Sequence, residues 1–565
     1  MAGWRSIYST WGFHDELGDR VALTEELARQ ALQSLKSWRA QGLEMEVFAL
    51  DGFWFDQELG FEHANRLYWL TPMQDFLQEV RQAGFTPGLW FSTSGAWLKV
   101  PEWQESLSAD HWHYSLIEGP FADALEQALL NAASNWGVRC FKFDYARLGA
   151  DVSGSSRSPR EAYRLGLDRF RTMIRRLRQA CPDVCLIGQN GFTRDRQHER
   201  HGWPHAPALD PALLELFDAL CPGDPHLGDL PATAATRSLD LFVDRGTWQL
   251  HQAGVPWHRV ADHGKLIGMT NTASYRGTTG LLRSHLAQLA RGSRCDAFSG
   301  DPTLLQPSDV KCLRDSRAWF VEAWSRGLET RYLGDGEPTV APWHGWLTGG
   351  AQAGLLYLVN PRLRPQLIEL TLPDLAAAHV LFSDSILPPP LQHTEDRLLI
   401  ELGPEQMALI GLGDFADMRA LRSQIDPPLP RDVRLVPMQF RRSAYGLEGR
   451  LEQPLPKGFD LLVIARAWEG DTEDLHPLRP RGFGAQNTRI DGADRPKAHQ
   501  VLTISLEDLQ GRSTPVQEVP SAPTWADITW VARRFPNPAV PATVRITWNV
   551  EPCTRLTAEA YAVRF

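Results

Sequence analysis

The chain has 565 residues, a formal net charge of −10, and 43% hydrophobic and 22% charged residues. The charge is dispersed, with no basic stripe to neutralise a phosphate backbone, which argues against nucleic acid as a partner. No apolar run approaches the roughly 18 residues of a membrane span, and "MAGWRSIYSTWGF" lacks the basic, apolar, small-residue order of a signal peptide, so a cytoplasmic chain with no membrane partner is expected.

A chain of this length exceeds what one hydrophobic core usually serves, so one large domain with smaller attachments is expected. From the N-terminus, short apolar runs alternate with amphipathic helical stretches, the pattern of a parallel sheet wrapped in helices. The strand candidates are "WRSIYS", "EMEVFAL", "TPGLWFS", "VRCFKF", "VCLIGQN", "FDALC", "VPWHRV" and "RCDAF". In the first helix Leu27, Ala31, Leu35 and Trp38 recur at helical spacing; Thr24 can cap it, Glu25 and Glu26 suit its positive end, and Gly42 can close it. The fourth helix has Ser158 as cap, Pro159 at its first position and Glu161 three residues after the cap, which makes a capping box. Tyr163, Leu167, Phe170 and Ile174 form its expected buried stripe, and Pro182 ends it.

Eight such pairs predict an α/β fold, an N-terminal (β/α)8 TIM barrel over residues 1–332. A doubly wound open sheet is the alternative, disfavoured because no glycine fingerprint follows the first strand. Beyond it, short alternating strands with turn residues predict a small antiparallel β domain over 333–424. The linker "IDPPLPRD" leads to a second β domain, 433–565, whose role the sequence does not state. Both β domains are expected to be sandwich-like.

Seven cysteines are scattered without metal-ligand spacing, so reduced, buried thiols are expected and neither a metal nor any other cofactor is called for. His198, His201 and His205 lie close together, but on a loop, a poor platform for convergent imidazoles, so a solvated loop or a sugar contact is expected ahead of a metal site. The 21 tryptophans can enlarge a core or furnish stacking faces for sugar rings.

The fourth strand carries the chemistry. Side chains alternate along a strand, so Lys142 and Asp144 in "FKFDYAR" share the face that would point into a barrel, at the rim where barrel active sites are built. Buried charges need partners, which leaves two readings: a structural ion pair, or a catalytic carboxylate held ionised beside a lysine. A carboxylate nucleophile suggests glycoside hydrolysis, which needs a second carboxyl group; Asp224 follows the sixth strand on the same rim, although in "PGDP" it also reads as a turn residue.

Taken in order, these segments resemble the α-galactosidase (melibiase) clan of retaining glycoside hydrolases, as a divergent member. "CFKFDYAR" resembles the clan's strand bearing the nucleophile, "VFALDGFWF" its sugar-gripping strand end, and "LDPALLELFDALCPGDPHLGD" its approach to the acid/base. "SIYSTWGFHDE", "GFTPGLWFS" and "GLLYLVNP" resemble its first strand, third strand and small β domain; residues 433–565 lie outside the resemblance. It implies Asp144 as nucleophile and Asp224 as acid/base, facing each other at the roughly 5 to 5.5 Å of a retaining pair. Trp11, Asp51, Trp54, Trp90, Lys142, Arg147 and Asn190 would bind a glycoside or oligosaccharide substrate.

Departures accompany the likeness. Leu50 stands where the family has a second aspartate, "STSGAW" replaces a Glu-Pro-Glu type continuation, Ala146 replaces a polar residue, and "QNGFTRDRQHERHGWPH" replaces a small glycine-rich turn. An altered pocket around a retained mechanism is implied, with the sugar and linkage open. The expectation is an exo-acting α-glycoside hydrolase; a transglycosylase or a catalytically inactive carbohydrate-binding relative are the alternatives, and a metal-dependent sugar isomerase lacks the ligands it needs.

Overall fold

In the computed structural model, the described residues are 5–13, 23–189, 192, 210–223, 235–262, 265–268, 278–385, 388–421, 430, 432–444, 446–469, 476–477, 502–519, 530–548, 553 and 555–565. Asp224, Asn190, His198, His201 and His205 lie outside them. The chain divides into two compact units: Met1–Asp224, Gly246–Gly268 and Gly292–Asp315 in one, Pro225–Arg245, Met269–Arg291 and Ser316–Phe565 in the other.

The first unit is built on eight parallel strands: β1 (Arg5–Ser9), β2 (Val47–Leu50), β3 (Thr86–Ser92), β4 (Cys140–Asp144), β5 (Cys185–Gly188), β6 (Ala219–Leu220), β7 (Leu266–Ile267) and β8 (Cys295–Gly300). They hydrogen-bond in the order β6-β5-β4-β3-β2-β1-β8-β7. One segment joins the two ends: Val260 bridges Leu220 of β6 in parallel, and six residues on Leu266 pairs with Ser299 of β8. That joining makes the sheet a TIM-like barrel. In chain order, helices α1 (Glu25–Ala40), α2 (Met73–Gln82), α3 (Phe121–Ser134), α4 (Pro159–Ala180), α5 (Pro211–Leu214), α6 (Ala235–Gln252), α7 (Thr278–Ala290) and α8 (Pro307–Ser325) follow the strands.

Local chemistry accounts for the helix ends. Thr24 Oγ1 accepts from Leu27 N–H at 3.2 Å at the start of α1, and Gly42 follows its C-cap in the left-handed conformation (φ +86°), where a side chain would be strained. Ser158 Oγ accepts from Glu161 N–H at 3.3 Å, with Pro159 opening α4 as its fixed φ suits. Leu167, Phe170 and Ile174 are buried as expected; Tyr163 is only half-buried, and its hydroxyl donates to Asp210 Oδ2 at 3.2 Å.

The barrel interior is filled by alternate residues of successive strands, among them Ile7, Val47, Ala49, Cys140, Cys185, Ile187 and Cys295. The neighbouring Cys185, together with burial, pushes the Cys140 thiol far up, so that sulfur is neutral filling. The seven cysteines form no disulfide with one another.

The seventh strand departs from expectation. "VPWHRV" holds a 3₁₀ turn at Trp257–Arg259, because Pro256 opens a turn and Arg259 Nε donates to Asp218 O at 3.3 Å; the strand itself is β7, further on. A short hairpin, Phe55–Asp56 with Gly60–Ala64, was not legible either.

The second unit contains two β sandwiches. In the first, β9 (Thr330–Gly334), β10 (His344–Gly349), β11 (Ala353–Val359), β13 (Ala378–Ser383) and β16 (Met407–Gly413) form a sheet in the order β9-β10-β11-β16-β13; β12 (Gln366–Thr371), β14 (Leu391–His393) and β15 (Arg397–Leu402) form its partner. Leu356, Ile368, Ile400 and Ile410 are wholly buried between them. The second has the sheet β17 (Asp432–Leu435), β26 (Arg555–Arg564), β20 (Asp460–Glu469), β24 (Trp530–Phe535) and β23 (Gln517–Val519), with β21 (His476–Pro477) on β20; it faces β18 (Arg441–Ser443), β19 (Gly446–Leu451), β25 (Ala542–Trp548) and β22 (Leu502–Asp508). Leu461, Val463, Val544 and Ile546 centre its core.

Segments 225–245 and 269–291 group with residues 316–565 in the second unit. Buried charges tie them there: Arg283 Nε donates to Asp240 Oδ2 at 2.7 Å and its guanidinium also pairs with Asp384, Arg291 Nε donates to Asp244 Oδ1 at 2.7 Å, and His344 Nε2 lies 2.8 Å from Asp244 Oδ2. Among the described residues, no helix is long and apolar enough to cross a membrane.

Candidate active site

Strand alternation separates the two faces of β4. Phe143 meets Phe170 of α4 edge-on with centroids 5.5 Å apart, and Phe141 stacks with Phe91. Lys142 and Asp144 lie on the opposite face, which Cys140 shares in the barrel core. In register, Lys142 sits beside Trp90 of β3, and Asp144 beside Ser92.

Lys142 Nζ donates to Asp51 Oδ2 at 2.7 Å, from the middle of β4 to the residue that follows β2. Asp51 is gripped by further donors: Ser9 Oγ at 2.8 Å on the same oxygen and Gly52 N–H at 2.9 Å on Oδ1. Burial pushes the Asp51 carboxyl up, but the Lys142 ammonium and these hydrogen bonds outweigh it and hold the group below the usual carboxylate range. The aspartate is therefore ionised at neutral pH. Asp51 N–H in turn donates to Thr10 Oγ1 at 2.9 Å, which fixes the strand end.

Asp144 is 5% exposed and accepts from two directions: Trp90 Nε1 reaches Oδ2 at 3.1 Å and the Tyr145 N–H reaches Oδ1 at 2.7 Å. Donors on both oxygens fix the carboxylate plane. Trp90 stacks on Phe55 with planes 4° apart, so its indole is itself positioned. Trp11 joins this site from the end of β1, its ring 5.7 Å from Lys142 Nζ.

Two further candidate residues, Trp54 and Arg147, have partners of their own. Trp54 is 0% exposed, surrounded edge-on by Phe55, Phe91 and Trp136, and its Nε1 donates to Trp90 O at 2.8 Å. It supports Trp90 from behind. Arg147 pairs with Asp110, which also meets His113 Nδ1 at 2.7 Å. Burial opposes ionisation of Asp110, but hydrogen bonds from Ser108, His113 and backbone N–H groups overcome it and hold its carboxyl far below the usual range.

The site also has residues that sequence reasoning missed. Phe53, Trp97 and Tyr145 adopt left-handed backbone at φ 68°, 67° and 48°, a conformation uncommon for bulky side chains and costing of order 1–3 kcal/mol each. Trp97 packs edge-on against Tyr145 at 4.3 Å, Phe53 at 5.4 Å and Trp112 at 5.7 Å. Trp112 is 39% exposed, so the cluster presents an aromatic face to solvent beside Trp90. The tryptophan excess hinted at stacking faces; no local pattern located this one. Among the described residues, no group of three or more His, Cys, Asp or Glu side chains could hold a metal ion.

No family model and no curated protein matches the chain. Solved structures similar to it include α-galactosidases. A GH36 α-galactosidase variant from Geobacillus stearothermophilus, crystallised with raffinose, is 14% identical over 72% of this chain and 55% of that one, with a TM-score of 0.48. A putative α-galactosidase from Bacteroides fragilis is 14% identical over 73% and 80% of the two chains, TM-score 0.48. α-Galactosidase I from Mortierella vinacea is 10% identical over 75% and 98%, TM-score 0.47. The chain thus spans just over half the length of the first of these.

Proposed function

We propose that the chain is a retaining, exo-acting glycoside hydrolase acting on α-galactosides or related α-glycosides. The observation that carries the reading is the Asp144 carboxylate, fixed by Trp90 and Tyr145 at the C-terminal end of a barrel strand, beside the ion pair of Lys142 with Asp51. Asp144 attacks the anomeric carbon while Asp224 protonates the departing oxygen, which leaves a glycosyl ester on Asp144. Asp224, now a carboxylate, takes a proton from the water that attacks the same carbon, and the sugar leaves with its original configuration. Asp51 accepts hydrogen bonds from sugar hydroxyls, and Trp11 and Trp90 offer faces to the ring. Another acceptor alcohol in place of water would give transglycosylation through the same ester.

The test is product analysis by NMR on folded Asp144→Ala and Asp224→Ala, using α-galactosyl, α-glucosyl and β-L-arabinosyl substrates with activated phenols. Azide needs no general base, so it rescues Asp224→Ala by attacking the ester and gives a glycosyl azide of retained configuration. With Asp144→Ala it attacks the opposite face and gives the inverted azide. The opposite pairing of products would exchange the two roles, and no turnover of any sugar by wild type would favour a carbohydrate-binding protein.

A further inference from the structure

We propose that the C-terminal β sandwich carries a second binding site, for a saccharide bearing a carboxylate or sulfate group. A cavity of about 660 Å³ opens between the turn after β11 and strands β20 and β26, with Arg362, Arg466, Arg555, Trp468, Glu559 and Tyr561 in its lining. That volume falls within the range of small-molecule sites, and an apolar wall with a few converging polar groups is their usual chemistry.

The register explains how these side chains converge. On β20, Arg466 and Trp468 lie two residues apart and share a face. Antiparallel pairing sets Arg466 opposite Thr557 and Trp468 opposite Arg555 of β26. Trp468 Nε1 donates to Thr557 Oγ1 at 2.8 Å, which anchors the indole, and the Arg466 guanidinium lies 4.8 Å from the Trp468 ring centroid. The result is a fixed aromatic wall with a cation against it.

Charge selects the ligand. Among the described residues, three guanidiniums line the cavity against one carboxylate, Glu559, which already accepts from Tyr561 OH at 2.8 Å. Burial and the Glu559 charge keep the Tyr561 phenol protonated, so it remains a donor. Burial, and after it the Arg364 cation, push the Arg362 pKa down, against the pull of Glu559 and Tyr561. An anion relieves that repulsion, and a planar guanidinium matches carboxylate or sulfate oxygens in pairs. Trp468 and Phe440 supply the flat apolar surface that the carbon face of a sugar ring covers. That the ligand is a saccharide rests on the reading of the barrel; that it is anionic does not.

The experiment is isothermal titration calorimetry of the full chain with trigalacturonic acid, its fully methyl-esterified form, galactose 6-sulfate and inorganic sulfate. The acid or the sulfated sugar is expected to bind, with affinity falling as salt is raised, and the ester to bind at least about tenfold more weakly because it has lost the charge. The stronger of the two charged sugars identifies the anionic group. Arg555 is exposed, so Arg555→Met keeps the fold, checked by near-ultraviolet circular dichroism; it should weaken binding about tenfold while leaving aryl-glycoside turnover unchanged. Equal binding of acid and ester, no effect of Arg555→Met, or no heat with either charged sugar would overturn the site. Inorganic sulfate binding as tightly as the sugars would overturn its saccharide part. Turnover in the barrel is measured separately, so failure of the glycosidase reading and failure of this one are distinguishable.

Discussion

Breaking the pair of Lys142 with Asp51 should destabilise the barrel more than any surface salt bridge could. Their side chains are 8% and 6% exposed and meet at 2.7 Å. Removing one member of such a pair strands the other in low dielectric, at about 3–5 kcal/mol. Lys142→Met leaves the Asp51 carboxylate with the Ser9 hydroxyl and Gly52 N–H as neutral donors, so its cost should sit near the lower figure, about 3 kcal/mol. Asp51→Asn leaves an ammonium facing an amide and should cost about the same or more. The double variant leaves no orphan charge and should lose little beyond either single one, a coupling of about 2–3 kcal/mol. Urea unfolding of the full-length chain, following the transition that contains the barrel, measures all four proteins. Single costs that add in the double variant would refute the interaction. A second readout follows from the depressed Asp51 pKa. A carboxyl lowered by folding contributes stability that is complete above its ordinary value of about 3.9 and is lost as pH falls through that value towards the folded one. The gap between wild type and Asp51→Asn should therefore narrow as pH drops below about 4, and a gap that widened there would contradict the assignment.

Trp90→Phe removes the indole N–H from Asp144 Oδ2 but keeps a ring against Phe55; turnover of an activated aryl glycoside should fall about tenfold with folding unchanged, and steady-state kinetics beside near-ultraviolet circular dichroism checks both. Truncation after residue 424 removes the C-terminal sandwich, whose core is its own, so turnover should persist while the binding of acidic saccharides disappears; a loss of turnover equal to that of Asp144→Ala, with the barrel still folded, would place these residues in the chemical step.

Periodicity reported the barrel well where each strand and helix carried its own signal. The capping residues Thr24 and Ser158 both accept the hydrogen bonds their positions require, because a cap is decided within one turn of helix. The seventh strand failed for the opposite reason. An apolar run that looks like a strand became a turn at Pro256, since Arg259 reaches back to Asp218 O, 41 residues away in sequence, and only Val260 bridges the sheet. Buried charge pairing was equally hidden: the burial of Arg283 with Asp240 and Asp384 joins groups 43 and 101 residues away in sequence. No local pattern carries such a pairing.

The site repeats this division. That Lys142 and Asp144 share a face follows from the two-residue period of a strand, so their common direction was legible from seven letters of sequence. Their hydrogen-bond partners were not. Lys142 reaches Asp51, 91 residues away, and Asp144 meets Trp90, 54 residues away. Choosing among partners takes the barrel's closure, which brings strand ends distant in sequence onto one rim. The aromatic cluster was further out of reach, because Phe53, Trp97 and Tyr145 take a backbone conformation that their residue types disfavour. A reading by propensity assigns such residues ordinary backbone and points their side chains elsewhere. Strain of this kind persists only where surrounding structure over-determines it. The rings supply that determination themselves: Trp97 contacts Phe53, Tyr145 and Trp112 at once. The turn conformations and the aromatic face therefore form together, and Tyr145 carries the consequence to the chemistry, since the N–H that fixes Asp144 Oδ1 belongs to this strained residue.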